Sequence, residues 1–191
     1  TLIYIACPHA KAQTFDEYFE DATLRLDYIF AGNSKKQSIY LEGLKKQDKW
    51  AGRKSRLAEK FLNGNGQVTV KDHASQQVIY VTTFSTLFQE WLLQEEANKI
   101  DKAFETSYNI PFPKKEIDIT VTLTDNHQAV VAEMTHIVNP QDILIRPVGT
   151  NGIPFHYIWK GMQTATEGTT WTASNEPRNG KGRNYVATAY D

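Results

Sequence analysis

The sequence has 191 residues, of which 40% are hydrophobic and 23% are charged, a composition typical of a folded globular protein. Lysine and arginine number 21 against 22 for aspartate and glutamate, so the net charge is -1. Because nucleic-acid-binding domains normally carry a basic excess or a basic stripe, no nucleic-acid partner is expected. The single cysteine excludes a disulfide framework and a zinc site built on several thiolates. No apolar run approaches the roughly 20 residues of a membrane span, so none is predicted.

The first 12 residues resemble the second half of a secretory signal peptide. An apolar stretch from Leu2 to Ala6 is followed by Ala10-Lys11-Ala12, which matches the A-x-A pattern of a cleavage site. We therefore predict a signal peptide remnant over 1–12, with a first β-strand as the alternative. The interpretation predicts a protein that is secreted or held in the bacterial cell envelope, in the periplasm or at the cell surface.

Alternating apolar positions predict a β-sandwich over residues 13–147. Apolar side chains occupy every second position from Leu24 to Phe30, and again from Ile117 to Leu123, as in strands with one buried face. Short strands separated by turn residues, without regular helices between them, favour an antiparallel, all-β sandwich, either immunoglobulin-like or jelly-roll-like. The predicted strands are 23–31, 37–44, 66–71, 78–83, 103–110, 117–124, 129–138 and 143–146, with 66–83 and 116–138 as hairpins.

One segment breaks the strand pattern and predicts one short helix near 87–99. Thr86 and Gln89 have the spacing of a capping box, and Glu95 and Lys99 have the favourable i,i+4 spacing. The apolar residues of the segment fall on one helical face. They are Leu87, Phe88, Trp91 and Leu92.

The common catalytic motifs are missing from the sequence. It contains no G-x-S-x-G, no phosphate-binding loop, no dinucleotide-binding glycine pattern and no H-E-x-x-H. Glu133 and His136 have the E-x-x-H spacing of some metal sites, but positions three apart on a strand point to opposite faces. We therefore predict that the two side chains diverge and that His136 is half-buried with a local hydrogen bond. No catalytic or metal-binding residue is assigned.

Trp50, Trp91 and Trp159 could form a sugar-stacking surface, although a large aromatic side chain more often packs in a core. We predict a binding surface made by loops at one end of the sandwich, with Trp50, Arg53 and the 85–92 segment, including Trp91, as its candidate residues. A glycan-binding module of a secreted enzyme is accordingly one interpretation of the chain.

The end of the chain differs in character from the rest. Residues 161–191 are rich in Gly, Thr, Asn and Ala and show no sustained period of 2 or 3.6. We predict a linker and loosely ordered tail over 148–191.

Five strings in a fixed order carry a resemblance to a known family. They are QTFDEYFEDATLRLDYIFAGN (13–33), QSIYLEGLKKQDKWAGR (37–53), GNGQVTVKD (64–72), VIYVTTFSTLFQEW (78–91) and FETSYNIPFPKKEIDITVTLTD (104–125). Together they resemble the N-terminal domain of the bacterial IgA peptidase family. The members of this family are secreted zinc metallopeptidases. The later string DILIRPVGTNGIPFHYIWKG (142–161) resembles the join between that domain and the catalytic domain.

The resemblance implies a signal peptide, a β-sandwich domain and then a separate zinc peptidase domain that carries H-E-x-x-H. No position here matches that zinc motif, so no cofactor is expected in this chain, and zinc is expected only in the catalytic domain. The resemblance stops at Met162, and we expect 162–191 to come from a truncated or frame-shifted reading of a longer gene, with a free-standing domain as the alternative.

The function that the resemblance implies is that of a non-catalytic accessory N-terminal domain, which positions the peptidase or binds its substrate. The expected partners are a catalytic peptidase domain in cis and, as a further candidate, a host glycoprotein.

Overall fold

A computed structural model describes residues 14–148 of the chain. These residues form two four-stranded sheets that enclose one hydrophobic core, which confirms the predicted all-β sandwich. The predicted signal remnant over 1–12 lies outside the described residues, as does the predicted linker and tail from residue 149 onward. No helix within 14–148 has the length and apolar character needed to cross a membrane.

The first two hairpins of the chain belong to different sheets. In chain order the elements are α1 (Phe15–Tyr18), β1 (Phe19–Gly32), β2 (Gln37–Gln47), β3 (Gly66–Asp72), β4 (Val78–Phe84), α2 (Leu87–Trp91), a 3-10 helix (Glu95–Asn98), β5 (Lys102–Pro113), β6 (Ile117–Thr124), β7 (Val130–Val138) and β8 (Ile145–Pro147). One sheet has the order β5-β1-β2-β8 and the other β4-β3-β6-β7. Neighbouring strands are antiparallel except for β8, which pairs in parallel with β2.

The core forms between the faces that the alternation predicted. Tyr28 and Phe30 on β1 are fully buried, and so are Val121 and Leu123 on β6 in the opposite sheet. Burying a large apolar side chain stabilises a fold by about 1.5–3 kcal/mol, so these two inward-facing rows account for much of the stability of the sandwich. Both predicted hairpins are present, as β3–β4 and β6–β7.

The first strand begins earlier than predicted, at Phe19 instead of residue 23. Phe19 is buried, and its ring lies edge-on to Tyr80 with 6.3 Å between centroids. Phe15 in α1 is also buried, 5.7 Å from Phe19. Asp16 and Glu17 between these rings are exposed, and the two aromatic side chains anchor the segment to the core.

The predicted helix over 87–99 is wrong in its extent, because the chain forms α2 and then a separate 3-10 helix. The Thr86 hydroxyl accepts a hydrogen bond from the Gln89 backbone N–H at 3.3 Å, as a capping residue does. The Gln89 side chain bonds back to Thr86, but its Oε1 accepts from the Thr86 hydroxyl (3.2 Å) and not from the Thr86 backbone N–H as in a standard capping box. Its amide nitrogen donates to the Asn65 carbonyl. Leu92 still packs against the core, but Leu93 is 71% exposed and residues 94–96 are exposed as well, so the apolar face is interrupted before the buried Ala97.

Candidate interaction surfaces

Trp50 serves the fold of the loop between β2 and β3. Its indole N–H donates to the Arg53 carbonyl at 2.9 Å, and its ring lies edge-on to Tyr80 with 6.0 Å between centroids. The side chain is half-buried against the core. Its polar atom is therefore already used within the domain.

Arg53 fastens the same loop to the outer edge of β4. One nitrogen of its guanidinium, Nη2, shares its two hydrogens among three backbone carbonyls, those of Leu57 (2.9 Å), Glu59 (3.0 Å) and Val81, while the buried Nε has no hydrogen-bond partner among the described residues. It also lies 4.6 Å from the centre of the Phe61 ring. Burial holds the pKa of Arg53 below its ordinary value. This is the bonding of a structural cross-link, in which one planar group satisfies several carbonyls.

Trp91 belongs to a different aromatic cluster. Its ring stacks on Phe88 (6.1 Å between centroids) and contacts Phe104 (5.6 Å), while its indole N–H donates to the Glu96 carboxylate at 2.8 Å. The Lys102 ammonium lies 5.4 Å above the ring and pairs with the same carboxylate at 2.5 Å. The hydrogen bond from Lys102 is the main cause that lowers the pKa of Glu96.

The structure divides the predicted binding residues between two places. Trp50 contacts Tyr80, which packs on Phe19 at the beginning of β1. Trp91 contacts Phe88, which packs on Phe30 near the end of β1, a strand of 14 residues. The Trp50–Arg53 cluster and Trp91 therefore lie at opposite ends of the strand and share no surface, and Trp159 lies outside the described residues.

The Glu133 and His136 side chains diverge, as the strand geometry predicted. Glu133 is exposed and accepts from the Thr122 hydroxyl at 3.1 Å, whereas His136 points inward, where its Nε2 lies 2.7 Å from the Tyr28 hydroxyl. Burial lowers the pKa of His136 and raises that of Tyr28. Within residues 14–148 no group of three or more His, Cys, Asp or Glu side chains is placed to hold a metal ion.

A buried carboxylate on the outer face of the sheet that contains β1 also has its hydrogen bonds within the domain. Asp27 is 5% exposed and accepts from Arg25 (2.7 Å), Lys45 (2.7 Å) and Ser107 (2.6 Å). Burial by itself raises the pKa of Asp27, but the hydrogen bonds from those three donors hold it below its ordinary value. With both oxygens occupied by protein donors, this cluster stabilises the sheet and offers no free ligand atom.

The most exposed large apolar side chain among residues 14–148, that of Ile143, lies just before β8 and next to a second exposed one, that of Leu144. Ile143 is 93% exposed and Leu144 is 69% exposed, whereas Ile145 packs against the core. Val148, at the other end of the strand, is 39% exposed. We call Ile143, Leu144 and Val148 the β8 patch.

The β8 patch is held rigidly by its turn. The Asp142 side chain accepts from the Leu144 N–H at 2.9 Å, and its carbonyl accepts from the Ile145 N–H at 3.1 Å. At the far end, the Val148 N–H donates to the Lys46 carbonyl at 2.8 Å. The apolar side chains therefore project from a fixed backbone.

Sequence reasoning treated 143–146 only as a strand and missed the patch. The available signal was the run of three consecutive apolar residues from Ile143 to Ile145, followed by Arg146. Since strand side chains alternate between faces, at least one of three consecutive apolar side chains points away from the face that meets the core. In β4 the loop attached by Arg53 covers that outer side, and Ile79, Tyr80 and Val81 are all buried.

The described residues form an all-β domain, and its buried charged side chains bond to other groups of the same domain. Comparison with known families identifies its kind. Residues 14–135, more than half of the chain, match the family model described as the peptidase M64 N-terminus. The chain therefore belongs to this family of peptidase N-terminal domains, which confirms the resemblance seen in the sequence. No curated protein matches the chain.

Proposed function

We propose that this chain is a non-catalytic accessory domain that positions the catalytic domain of an M64 peptidase by binding it through the β8 patch. The observation that carries the proposal is the exposure of Ile143 and Leu144 on a hydrogen-bonded turn a few residues after the segment 14–135 that matches the family. Single exposed leucines such as Leu93 are common on protein surfaces, but adjacent exposed aliphatic side chains more often mark an interaction site, and Ile143 and Leu144 are neighbours in the sequence.

The energetics of the patch suit a partner on the same chain. Burying Ile143 and Leu144 contributes up to about 1.5–3 kcal/mol each, and the fixed turn limits the entropy lost on docking. A tethered domain binds at an effective concentration that reaches millimolar values with short linkers, so a small patch is sufficient.

The proposal assigns no reaction to the accessory domain itself. Zinc, which the resemblance implies for the catalytic domain, has no ligand set in the part of the chain that the structure describes. We also propose that the protein is secreted or held in the cell envelope, because residues 1–12 resemble part of a signal peptide. The glycan alternative based on Trp50 and Trp91 is not carried forward, since both indole N–H groups bond within the domain and the rings lie in separate clusters.

A binding experiment with a matched control tests the docking role. The purified chain is titrated by calorimetry with a separately expressed catalytic domain of an M64 peptidase. Leu144→Ser should weaken binding about tenfold, the equivalent of about 1.4 kcal/mol. Leu93→Ser changes a leucine of nearly equal exposure (71% against 69%) elsewhere on the domain and should leave the affinity unchanged. Absence of binding by the unaltered chain, or an equal loss in both variants, would contradict the docking role.

The non-catalytic assignment has its own test. The chain is incubated with zinc and protein substrates, including immunoglobulin and mucin, with and without a chelator. We expect no cleavage in either case. Chelator-sensitive cleavage by the purified chain would overturn the assignment.

A further inference from the structure

A groove with a volume of about 420 Å³ crosses the outer face of the sheet that contains β1, at the end where β1 turns into β2. Its floor is a row of small side chains on three neighbouring strands. Ala31 on β1 lies directly opposite Ser38 on β2 and Ala103 on β5. Because these three side chains are short, the floor lies below the rows on either side of it.

Tyr40 forms one side of the groove. It is next to Ser38 on the same face of β2, and it is 56% exposed. No other aromatic ring of the described residues contacts Tyr40, in contrast to the rings packed in the core. One face of an aromatic ring is thus available beside the floor.

The opposite side is a polar rim set by the β1–β2 turn. Gly32 has φ of +124°, and a Cβ there would lie 2.1 Å from the Lys36 carbonyl oxygen, so the turn requires glycine. Asn33 donates to one oxygen of Asp101 at 2.6 Å. The other Asp101 oxygen and the Lys36 ammonium have no protein partner within residues 14–148.

We propose that this groove binds a hexopyranose unit of a glycan. The Tyr40 ring lies against the apolar face of the sugar, while the free groups of Asp101, Lys36 and Ser38 hydrogen-bond its hydroxyls. One free carboxylate and one free ammonium balance in charge, which suits an uncharged ligand rich in both donors and acceptors. The volume lies within the range of small-ligand sites, about 300–1,000 Å³.

A peptide suits the groove less well. Extended peptides commonly bind by adding a strand to a sheet edge, where backbone groups are free. Here the floor is centred on β1, whose backbone pairs with β2 on one side and β5 on the other. The sheet edges lie outside the floor, on the far side of β5 and on β2 before Leu44. A ligand that lies on the floor is therefore recognised by side chains, and it must carry many polar groups of its own, as a sugar does.

The inference is independent of the docking role. The groove involves Ser38 and Tyr40 near the beginning of β2, whereas β8 pairs with Leu44 to Lys46 at the other end of that strand. Loss of sugar binding and loss of domain docking can therefore be measured and attributed separately.

The experiment is a two-dimensional ¹H–¹⁵N NMR titration of the whole chain. The probes are methyl β-galactopyranoside, methyl α-mannopyranoside and N-acetylglucosamine at millimolar concentration, with a Gly-Ser-Thr tripeptide as the non-sugar probe. We expect at least one sugar to shift the amide signals of Ala31, Ser38 and Ala103. Tyr40→Ala should weaken that binding about tenfold, and Tyr40→Phe should retain most of it because the ring remains. Phe61→Ala removes another half-exposed ring outside the groove and should have no effect.

Three results would overturn the proposal: no groove amide shifted by any of the sugars, a shift that survives Tyr40→Ala unchanged, or a response to the tripeptide alone.

Discussion

Replacing Arg53 with alanine tests whether this residue is a structural cross-link or a free binding group. The substitution removes the donor to the carbonyls of Leu57, Glu59 and Val81, although the Leu57 carbonyl keeps its second bond, from the Val81 backbone N–H at 2.9 Å. It also removes the cation beside the Phe61 ring. The attachment of the 48–65 loop to the edge of β4 should loosen.

The expected magnitude follows from the number and setting of these bonds. A hydrogen bond from a charged donor contributes about 1.5–3 kcal/mol when buried, but Arg53 is only half-buried and water replaces part of the loss. We therefore expect the free energy of unfolding to fall by about 2–3 kcal/mol in total. For a domain of this size that corresponds to a fall in Tm of about 6–12 °C.

Urea and thermal denaturation followed by circular dichroism measure the effect. The control is Lys54→Ala, which removes a neighbouring cation whose side chain is 52% exposed, pairs with Asp21 on the surface and lies 5.2 Å from the centre of the Phe15 ring. That change should cost less than about 1 kcal/mol. If Arg53→Ala lowered the free energy of unfolding no more than the control does, Arg53 would not be a structural cross-link. It would then again be a candidate binding residue.

Two further predictions concern the hydrogen-bonded histidines. Tyr28→Phe deletes the hydroxyl that bonds His136 and should lower the free energy of unfolding, measured by urea denaturation, by about 1–2 kcal/mol. The control Tyr40→Phe changes an exposed tyrosine and should have no measurable effect. Equal stability of the two variants would contradict the buried hydrogen bond. The hydrogen bond to Asp118 raises the pKa of His73 above its ordinary value of 6.5, so its stabilisation is complete below pH 6.5 and is lost as the pH rises through the folded pKa. Burial lowers the pKa of His136, so its contribution is present above pH 6.5 and is lost as the pH falls through the folded pKa. An NMR titration of the imidazole signals should give His73 a higher pKa than His136. The reverse order would contradict both the hydrogen bond of His73 and the burial of His136.

The strands were predictable because one physical rule governs them along most of the chain. In β6 buried apolar side chains occur at every second position, and only the ends of such elements were missed. β4 departs from the rule with three consecutive buried residues. The pairing of β8 with β2 was not predictable, because three residues of a parallel strand carry no register information of their own.

The candidate surfaces were less accessible to sequence reasoning. Tryptophan suggests binding by its residue type, yet Trp50 and Trp91 are fixed by contacts with residues such as Tyr80 and Phe104, distant in the sequence. The floor of the sugar groove joins Ala31, Ser38 and Ala103, and only the strand register brings Ala103 beside the other two. Long-range pairing therefore decides which residues share a surface.

Hydrogen–deuterium exchange of the chain with and without the catalytic domain of an M64 peptidase tests the central claim most directly. The account predicts slower exchange of backbone amides over 142–148 in the presence of the catalytic domain, with unchanged exchange around Leu93 and in the groove beside Tyr40. Unchanged exchange over 142–148, or protection confined to another surface, would contradict the claim that this accessory domain docks through the β8 patch.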